Sequence, residues 1–241
     1  MATAASAQHK HLKGVELNTN NVQSIYTRRF SASDRKQKDA IWRVLCAHFF
    51  QQYVNPTDTV LDVGAGYCEF INHIQCRHKI AFDLNVDTAR YATPDVHVIR
   101  GRSTAIGLLT AASVDVAFSS NFFEHLPTKD DLLATLSEIR RVLRPSGRLL
   151  VLQPNIRLLH GEYWDFLDHY LPLTDRSLVE ALEIAGFTIA EVRPRFLPYT
   201  TKSRLPQHPW LVRLYLDLPP AQQLFGKQAW VVAVKPDSDP A

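Results

Sequence analysis

Short apolar runs alternate with amphipathic stretches along most of the chain. The first run, Thr59–Val63, ends in Gly64-Ala65-Gly66, after which an apolar pattern resumes. Ahead of it, Ile41, Val44, Leu45, His48, Phe49 and Tyr53 recur at helical spacing until Pro56, which predicts a helix packed on a sheet. Behind it the pattern predicts a helix from about Cys68 to Ile74 and strands at Lys79–Asn85, Val96–Ile99 and Val114–Ser119. Leu132, Leu133, Leu136, Ile139, Val142 and Leu143 form one face of a helix over Asp130–Leu143, which Arg144-Pro145-Ser146-Gly147 breaks. A strand at Leu149–Leu152 follows and Pro154 halts it. Thr174 caps a helix through Leu178, Leu182 and Ile184 that Gly186 ends, and strands follow at Phe187–Val192 and Ala229–Val234. Strand and helix by turns predict an α/β fold, a mostly parallel sheet with helices on both faces. The last two strands, joined by a long connection, are expected to close the sheet edge as an antiparallel hairpin.

Two stretches depart from this rhythm. Residues 155–173 crowd Arg157, His160, Glu162, Tyr163, Trp164, Asp165, Asp168, His169 and Tyr170 together. Residues 195–220 are rich in proline and carry Arg195, Arg204, Arg213 and Trp210, and are read as an irregular insertion or a short helix from about Pro209 to Leu218 held by loops. Both are read as substrate-side elements of a single domain spanning residues 34–241. Residues 1–33 are read as a flexible arm that could fold over a pocket, with Tyr26 and Arg29 as candidate substrate contacts and His9-Lys10-His11 as an adventitious metal binder.

Bulk properties narrow the function classes. With 241 residues and a net charge of +3, the chain suits one α/β domain and lacks the charge asymmetry of a nucleic-acid binder. No apolar run reaches the length of about 18 residues that a membrane-spanning helix needs, and the polar start lacks a signal-peptide segment. Three cysteines, Cys46, Cys68 and Cys76, argue for a reducing compartment, and the cytoplasm is the expected location. Cys68, Cys76, His73 and His78 crowd one region, yet their spacing matches no structural zinc signature, so no metal is expected.

The glycine turn carries the chemistry. A strand feeding such a turn lets backbone approach a ligand closely, with amide N–H groups facing it. Asp83 ends the next strand 19 residues after Gly64, where a carboxylate can accept two hydrogen bonds from a ribose cis-diol. The alternative for Asp83 is a cap at a strand end.

With Val60-Leu61-Asp62-Val63-Gly64-Ala65-Gly66, Asp83, Val114–Ser119, Glu124-His125-Leu126 and Leu143-Arg144-Pro145-Ser146-Gly147-Arg148-Leu149 in this order, the chain resembles class I S-adenosylmethionine-dependent methyltransferases from about Val54 to Val234. The resemblance implies a Rossmann-like, seven-stranded sheet and S-adenosylmethionine as methyl donor. It implies that Asp62, Gly64, Ala65, Gly66 and Tyr67 line the methionine end, Asp83 binds ribose, and Leu84 lies against adenine. Ser103 and Thr104 stand where the family often has an acid for the adenine amine, so hydroxyl or backbone contacts would substitute. Ser119, Ser120 and Asn121 would close the cofactor side. Cys68 replaces a third glycine, which is tolerable if it already starts a helix and the positive-φ demand falls before it. A nucleophilic Cys68 would need exposure and a depressed pKa.

Methyl transfer to a hydroxyl or amine wants an aligned nucleophile and a group to take its proton. Histidine suits that work near neutral pH. His125, His160 and His169 are the candidates, with Asp165 one helical turn before His169 and able to orient it. Tyr163 and Trp164 could stack on a ring, and Asp168 and Arg204 could contact substrate. Arginines gathered over the pocket would favour an acidic acceptor. The expected acceptor is a small or glycan-like molecule, with no nucleic acid, no membrane span and a homo-oligomer open. An inactive scaffold and a nicotinamide oxidoreductase are the competing readings. The second leaves the Asn121–Leu126 loop and the Arg144–Gly147 turn unexplained.

Overall fold

The computed structural model describes residues 32–199 and 208–238. Its core is a seven-stranded sheet: β1 (Thr59–Val63), β2 (His78–Asp83), β3 (Val96–Arg100), β4 (Val114–Ser120), β5 (Leu143–Pro154), β6 (Thr188–Arg193) and β7 (Gln228–Val234), in spatial order β3-β2-β1-β4-β5-β7-β6. β1 pairs in parallel with β2 and β4, β2 with β3, and β4 with β5. β7 is antiparallel to both β5 and β6. The expected antiparallel pair therefore closes the sheet, with β6 at the edge and β7 between it and β5.

The period-2 alternation of each strand sends its residues to two cores. Leu61, Val63, Leu149, Val151, Val231 and Ala233 join one, under α3 (Lys129–Val142) and α5 (Asp175–Ile184). Val60, Leu150, Leu152, Trp230 and Val232 join the other, where α1 (Ala32–His48) contributes Trp42, Leu45 and Cys46. Helix starts follow local chemistry. Thr128 accepts from the Asp131 amide at the head of α3, and Thr174 and Ser177 form a reciprocal capping box on α5. Two single-turn helices, α2 (Thr88–Tyr91) and α4 (Ile156–Leu159), complete this part of the chain. The connection before β7 holds two helices rather than one, α6 (Pro209–Leu216) and α7 (Pro219–Phe225), each with proline in its first turn, and α6 packs on α1.

Two local expectations fail for identifiable reasons. Residues 68–74 form turns instead of a helix. Bonds from Asn72 N to Cys68 O and from Ile74 N to Phe70 O make barely one turn, and Cys68 enters it at φ +61. Phe70, Ile71 and Ile74 are all buried, so packing rather than helical propagation fixes the segment. The turn before it bears positive φ at Gly64 and Gly66 as expected, but Cys68 bears one as well. The helix does end ahead of Arg144–Gly147, but β5 begins already at Leu143 instead of Leu149 and passes through an irregular register, with Ser146 at φ +58. No helix among the described residues is long and apolar enough to cross a membrane.

Candidate functional site

The carboxyl ends of β2, β1 and β4 lie side by side, at the point where the strand order reverses from β1 to β4. In open α/β sheets the crevice for ligands forms there. Backbone bonds pin the loop after β1, since Gly64 N and Ala65 N both donate to Phe82 O, at 2.9 and 3.3 Å. Gly64 sits at φ +76 and Gly66 at φ +51. A Cβ on Gly64 would lie 2.4 Å from Phe122 Cγ, whereas one on Gly66 would meet nothing closer than Gly64 O at 4.0 Å. The close approach at Gly64 is thus made by the Phe122 ring. At Gly66 the backbone edge is open.

Asp83 ties this loop to β2. Its Oδ2 accepts from Gly66 N at 2.7 Å and its Oδ1 from Asn85 N at 2.7 Å. The side chain is half-buried, and burial raises its pKa against the opposing pull of those amides and of nearby His125. A carboxylate oxygen has room for two donors, so each oxygen retains acceptor capacity. The strand-end cap and a diol contact are therefore compatible. Leu84 follows with 40% of its surface exposed, an apolar shelf beside that carboxylate. Asp62, under the loop, is buried, and its pKa is pushed well up by burial and by the Glu69 and Asp83 carboxyls. Ala65 is buried as well, and the half-buried Tyr67 ring packs edge-on against Tyr91.

β4 closes the other side. Ser119 is buried and its hydroxyl donates to Val63 O at 3.0 Å, holding the two strand ends together. Asn121 adopts φ +48, its backbone N donates to Leu152 O, and its side-chain amide donates to Ser120 Oγ. Ser103 does not belong with this group. It is buried, and its hydroxyl bonds Thr135 on α3 at 2.8 Å. Thr104 beside it is half-buried.

Beyond Asn121 the chain makes a short 3-10 turn, Phe123–His125, that begins a second polar cluster. His125 Nδ1 meets Asp168 O at 2.9 Å and Asp168 Oδ2 at 3.3 Å. His169 Nδ1 meets Tyr163 O at 2.9 Å, and the two imidazole rings stand 5.0 Å apart, edge to face. Buried Glu124 accepts from Gln153 Nε2 at 3.0 Å, and its backbone O accepts from Tyr170 N and Leu171 N. Burial raises the pKa of the Glu124 carboxyl, while His125 and Gln153 oppose that rise.

The aromatic stretch takes roles other than those expected. Tyr163 is wholly buried and donates to Leu171 O, so it packs and braces the loop instead of offering a stacking face. Trp164 is 57% exposed and remains available. Asp165 does not lie one helical turn before His169, because the 3-10 turn His160–Asp165 ends ahead of Phe166, and the Tyr163 carbonyl orients the ring. Asp168 is buried against His125. Arg195 donates to Gly226 O at 3.5 Å and Arg213 is exposed on α6. The roles expected of Tyr26, Arg29 and Arg204, and of the His160 side chain, fall outside the described residues. Cys68 is buried and its thiol pKa is raised by burial, the reverse of what a nucleophile needs.

Sequence reasoning assigns Phe122, Glu124 and Gln153 no role of their own at the site. Phe122 and Glu124 lie inside a recognisable loop, but only folding places one on Gly64 and the other beside residues 45 positions downstream.

The fold, with strand order 3-2-1-4-5-7-6, is that of class I S-adenosylmethionine-dependent methyltransferases. Residues 61–151 match the methyltransferase domain family, whose span runs from β1 through most of β5. An S-adenosylmethionine-dependent methyltransferase from Archaeoglobus fulgidus is similar at 20% identity and TM-score 0.62, over 82% of this chain and 94% of that one. A Haloferax volcanii protein in complex with the Trm112 methyltransferase activator is similar at 19% identity and TM-score 0.63, over 86% and 95%. A Mesorhizobium loti methyltransferase is similar at 15% identity and TM-score 0.58, over 81% and 98%. No curated protein matches significantly.

Proposed function

We propose that the protein transfers the methyl group of S-adenosylmethionine to a hydroxyl or amine of a small-molecule or glycan-like acceptor. The observation that carries this reading is Asp83. It is held by Gly66 N and Asn85 N at the mouth of the β1 loop, beside the exposed Leu84. That pairing fits a ribose diol and an adenine face. Gly66, with open space at its Cα, suits the methionine end, and Asp62, Ala65, Tyr67, Ser119 and Asn121 border it. Thr104 and nearby backbone would meet the adenine amine, since the Ser103 hydroxyl is engaged by Thr135.

The donor's sulfonium already activates the methyl group. The protein's own work is alignment, exclusion of water and removal of the acceptor's proton. His125 is the best placed of the expected bases, lying four residues after Asn121 and near enough to Asp83 to influence it electrostatically. Asp168 and the backbone fix its ring. His169 shares the cluster and would position the acceptor, with Trp164 available to cover a ring. The substrate side would comprise residues 155–173, joined by the 195–220 connection and the N-terminal arm. The test is a panel of hydroxyl- and amine-bearing metabolites and sugars with methyl-labelled donor. Label transfer that His125→Ala reduces at least about 100-fold supports the assignment of the base. Transfer unchanged in that variant removes His125 from the mechanism.

A further inference from the structure

The cluster beyond β4 also has the makings of a metal site. One ligand atom from each of Glu124, His125 and His169 lies within 4.8 Å of the other two. We propose that these three side chains bind a divalent first-row transition-metal ion, with a remaining coordination position for an oxygen of the methyl acceptor.

Hydrogen-bond partners give the first argument. Each Nδ1 faces a backbone carbonyl at 2.9 Å, Asp168 O for His125 and Tyr163 O for His169. A carbonyl oxygen only accepts, so each Nδ1 carries a proton, and the neutral ring keeps its lone pair on Nε2. Metal-binding histidines are oriented in this way, with the non-ligating N–H held by a carbonyl or carboxylate. Asp168 Oδ2, 3.3 Å from His125 Nδ1, adds a negative group behind that ring.

The second argument is burial. Glu124 and His169 are buried and His125 is half-buried. Gln153 fixes one Glu124 oxygen at 3.0 Å, which leaves the carboxylate oriented rather than rotating. A buried carboxylate is costly unless a cation stands beside it. Two nitrogens and one oxygen suit zinc, iron, cobalt or nickel and not magnesium or calcium, which take oxygen ligands. Three protein ligands with an open position are the pattern of catalytic rather than structural zinc sites.

The chemistry of the open position rests on the methyl-transfer reading above, whereas ion binding does not. With the ion bound, His125 would act as a ligand in place of a base, and an acceptor hydroxyl held at the open position would ionise more readily, its proton leaving to solvent. The oxygen lone pair then forms the O–C bond to the methyl group while the C–S electrons stay on sulfur, converting the sulfonium to a thioether. This narrows the acceptor class to hydroxyl compounds able to reach a metal ion, such as vicinal diols, phenols or sugars.

The test uses the full chain with His9 and His11 changed to alanine, to remove binding at the terminal histidines. After chelation and dialysis the protein is titrated with Co²⁺, read by visible d–d absorption, and with Zn²⁺, read by calorimetry and elemental analysis. One ion per chain is expected, with affinity at least about 100-fold weaker in Glu124→Gln and His169→Gln and unchanged in His73→Gln. His73 pairs with Asp39, away from the cluster. Should a ligand variant fail to fold, the wild-type spectrum decides, since absence of nitrogen-ligated Co²⁺ bands overturns the site. Binding that both ligand variants retain also overturns it. Calorimetry with S-adenosylmethionine on the same samples separates the two claims. Donor binding without ion binding removes only the metal site, and ion binding without donor binding removes only the methyl-transfer reading.

Discussion

Replacing Gly64 with alanine tests whether the β1 loop is built around Phe122 as well as around a ligand. At φ +76 any L side chain is strained, and left-handed backbone costs about 1–2 kcal/mol. The new Cβ would also lie 2.4, 2.5 and 2.8 Å from Phe122 Cγ, Cδ2 and Cβ, so the ring must move. Overpacking of this kind adds about 1–3 kcal/mol. Gly64→Ala should therefore lose about 2–5 kcal/mol in all, the sum of those two contributions. Gly66→Ala is the control. It shares the positive φ, but its Cβ would meet only Gly64 O at 4.0 Å, so the expected cost is the strain alone, about 1–2 kcal/mol. Urea denaturation of the two variants, with a cycle through Phe122→Ala, measures the difference. Adding Phe122→Ala should recover the steric part, giving an interaction energy of about 1–3 kcal/mol. Equal losses for the two glycines, or strict additivity with Phe122→Ala, would refute the assignment of Gly64 to ring packing.

Other consequences concern surface charge and thiols. Lys79, buried in β2, pairs with Asp95 at 2.8 Å, and this contact holds the Asp95 carboxyl down to about 2. A depressed folded-state pKa stabilises the protein above the ordinary carboxylate range, and the gain disappears as pH falls towards 2. Because Asp95 is mostly exposed, the gain should stay below about 1 kcal/mol. The melting temperature of Asp95→Asn should thus lie slightly below wild type at pH 6 and approach it as pH falls towards 2, and a gap that widens in acid would contradict this. Burial raises all three thiols, Cys76 to about 11. A disulfide reagent at pH 8 should label half-buried Cys76 slowly and faster as pH rises, leaving Cys46 and Cys68 untouched until the chain unfolds. Rapid labelling of Cys68 in the folded protein would show that the loop opens.

Much of the fold is visible in the sequence because strands and long helices have periods that solvent enforces. The apolar runs at β1, β4 and β5 and the leucine face of α3 are examples. The failures occur where tertiary contacts decide. Cys68 takes φ +61 because the Phe70, Ile71 and Ile74 side chains all find core positions, and no local signal announces it. At the site, the glycine turn and Asp83 stand at readable spacing. The association of Glu124 and His125 with His169 depends on a loop returning to β4, and the Ser103 hydroxyl is claimed by α3. The expectation that no metal binds rests on Cys68, Cys76, His73 and His78, where spacing can be judged, whereas Glu124, His125 and His169 come together only on folding.

The most direct measurement is calorimetric titration of the purified protein with S-adenosylmethionine, S-adenosylhomocysteine and NADH in parallel, with Asp83→Ala beside wild type. Saturable binding of the first two is expected, with no binding of NADH and at least about a tenfold loss of affinity in the variant, equivalent to about 1.4 kcal/mol. Binding of NADH alone, or donor binding indifferent to Asp83, would contradict that expectation.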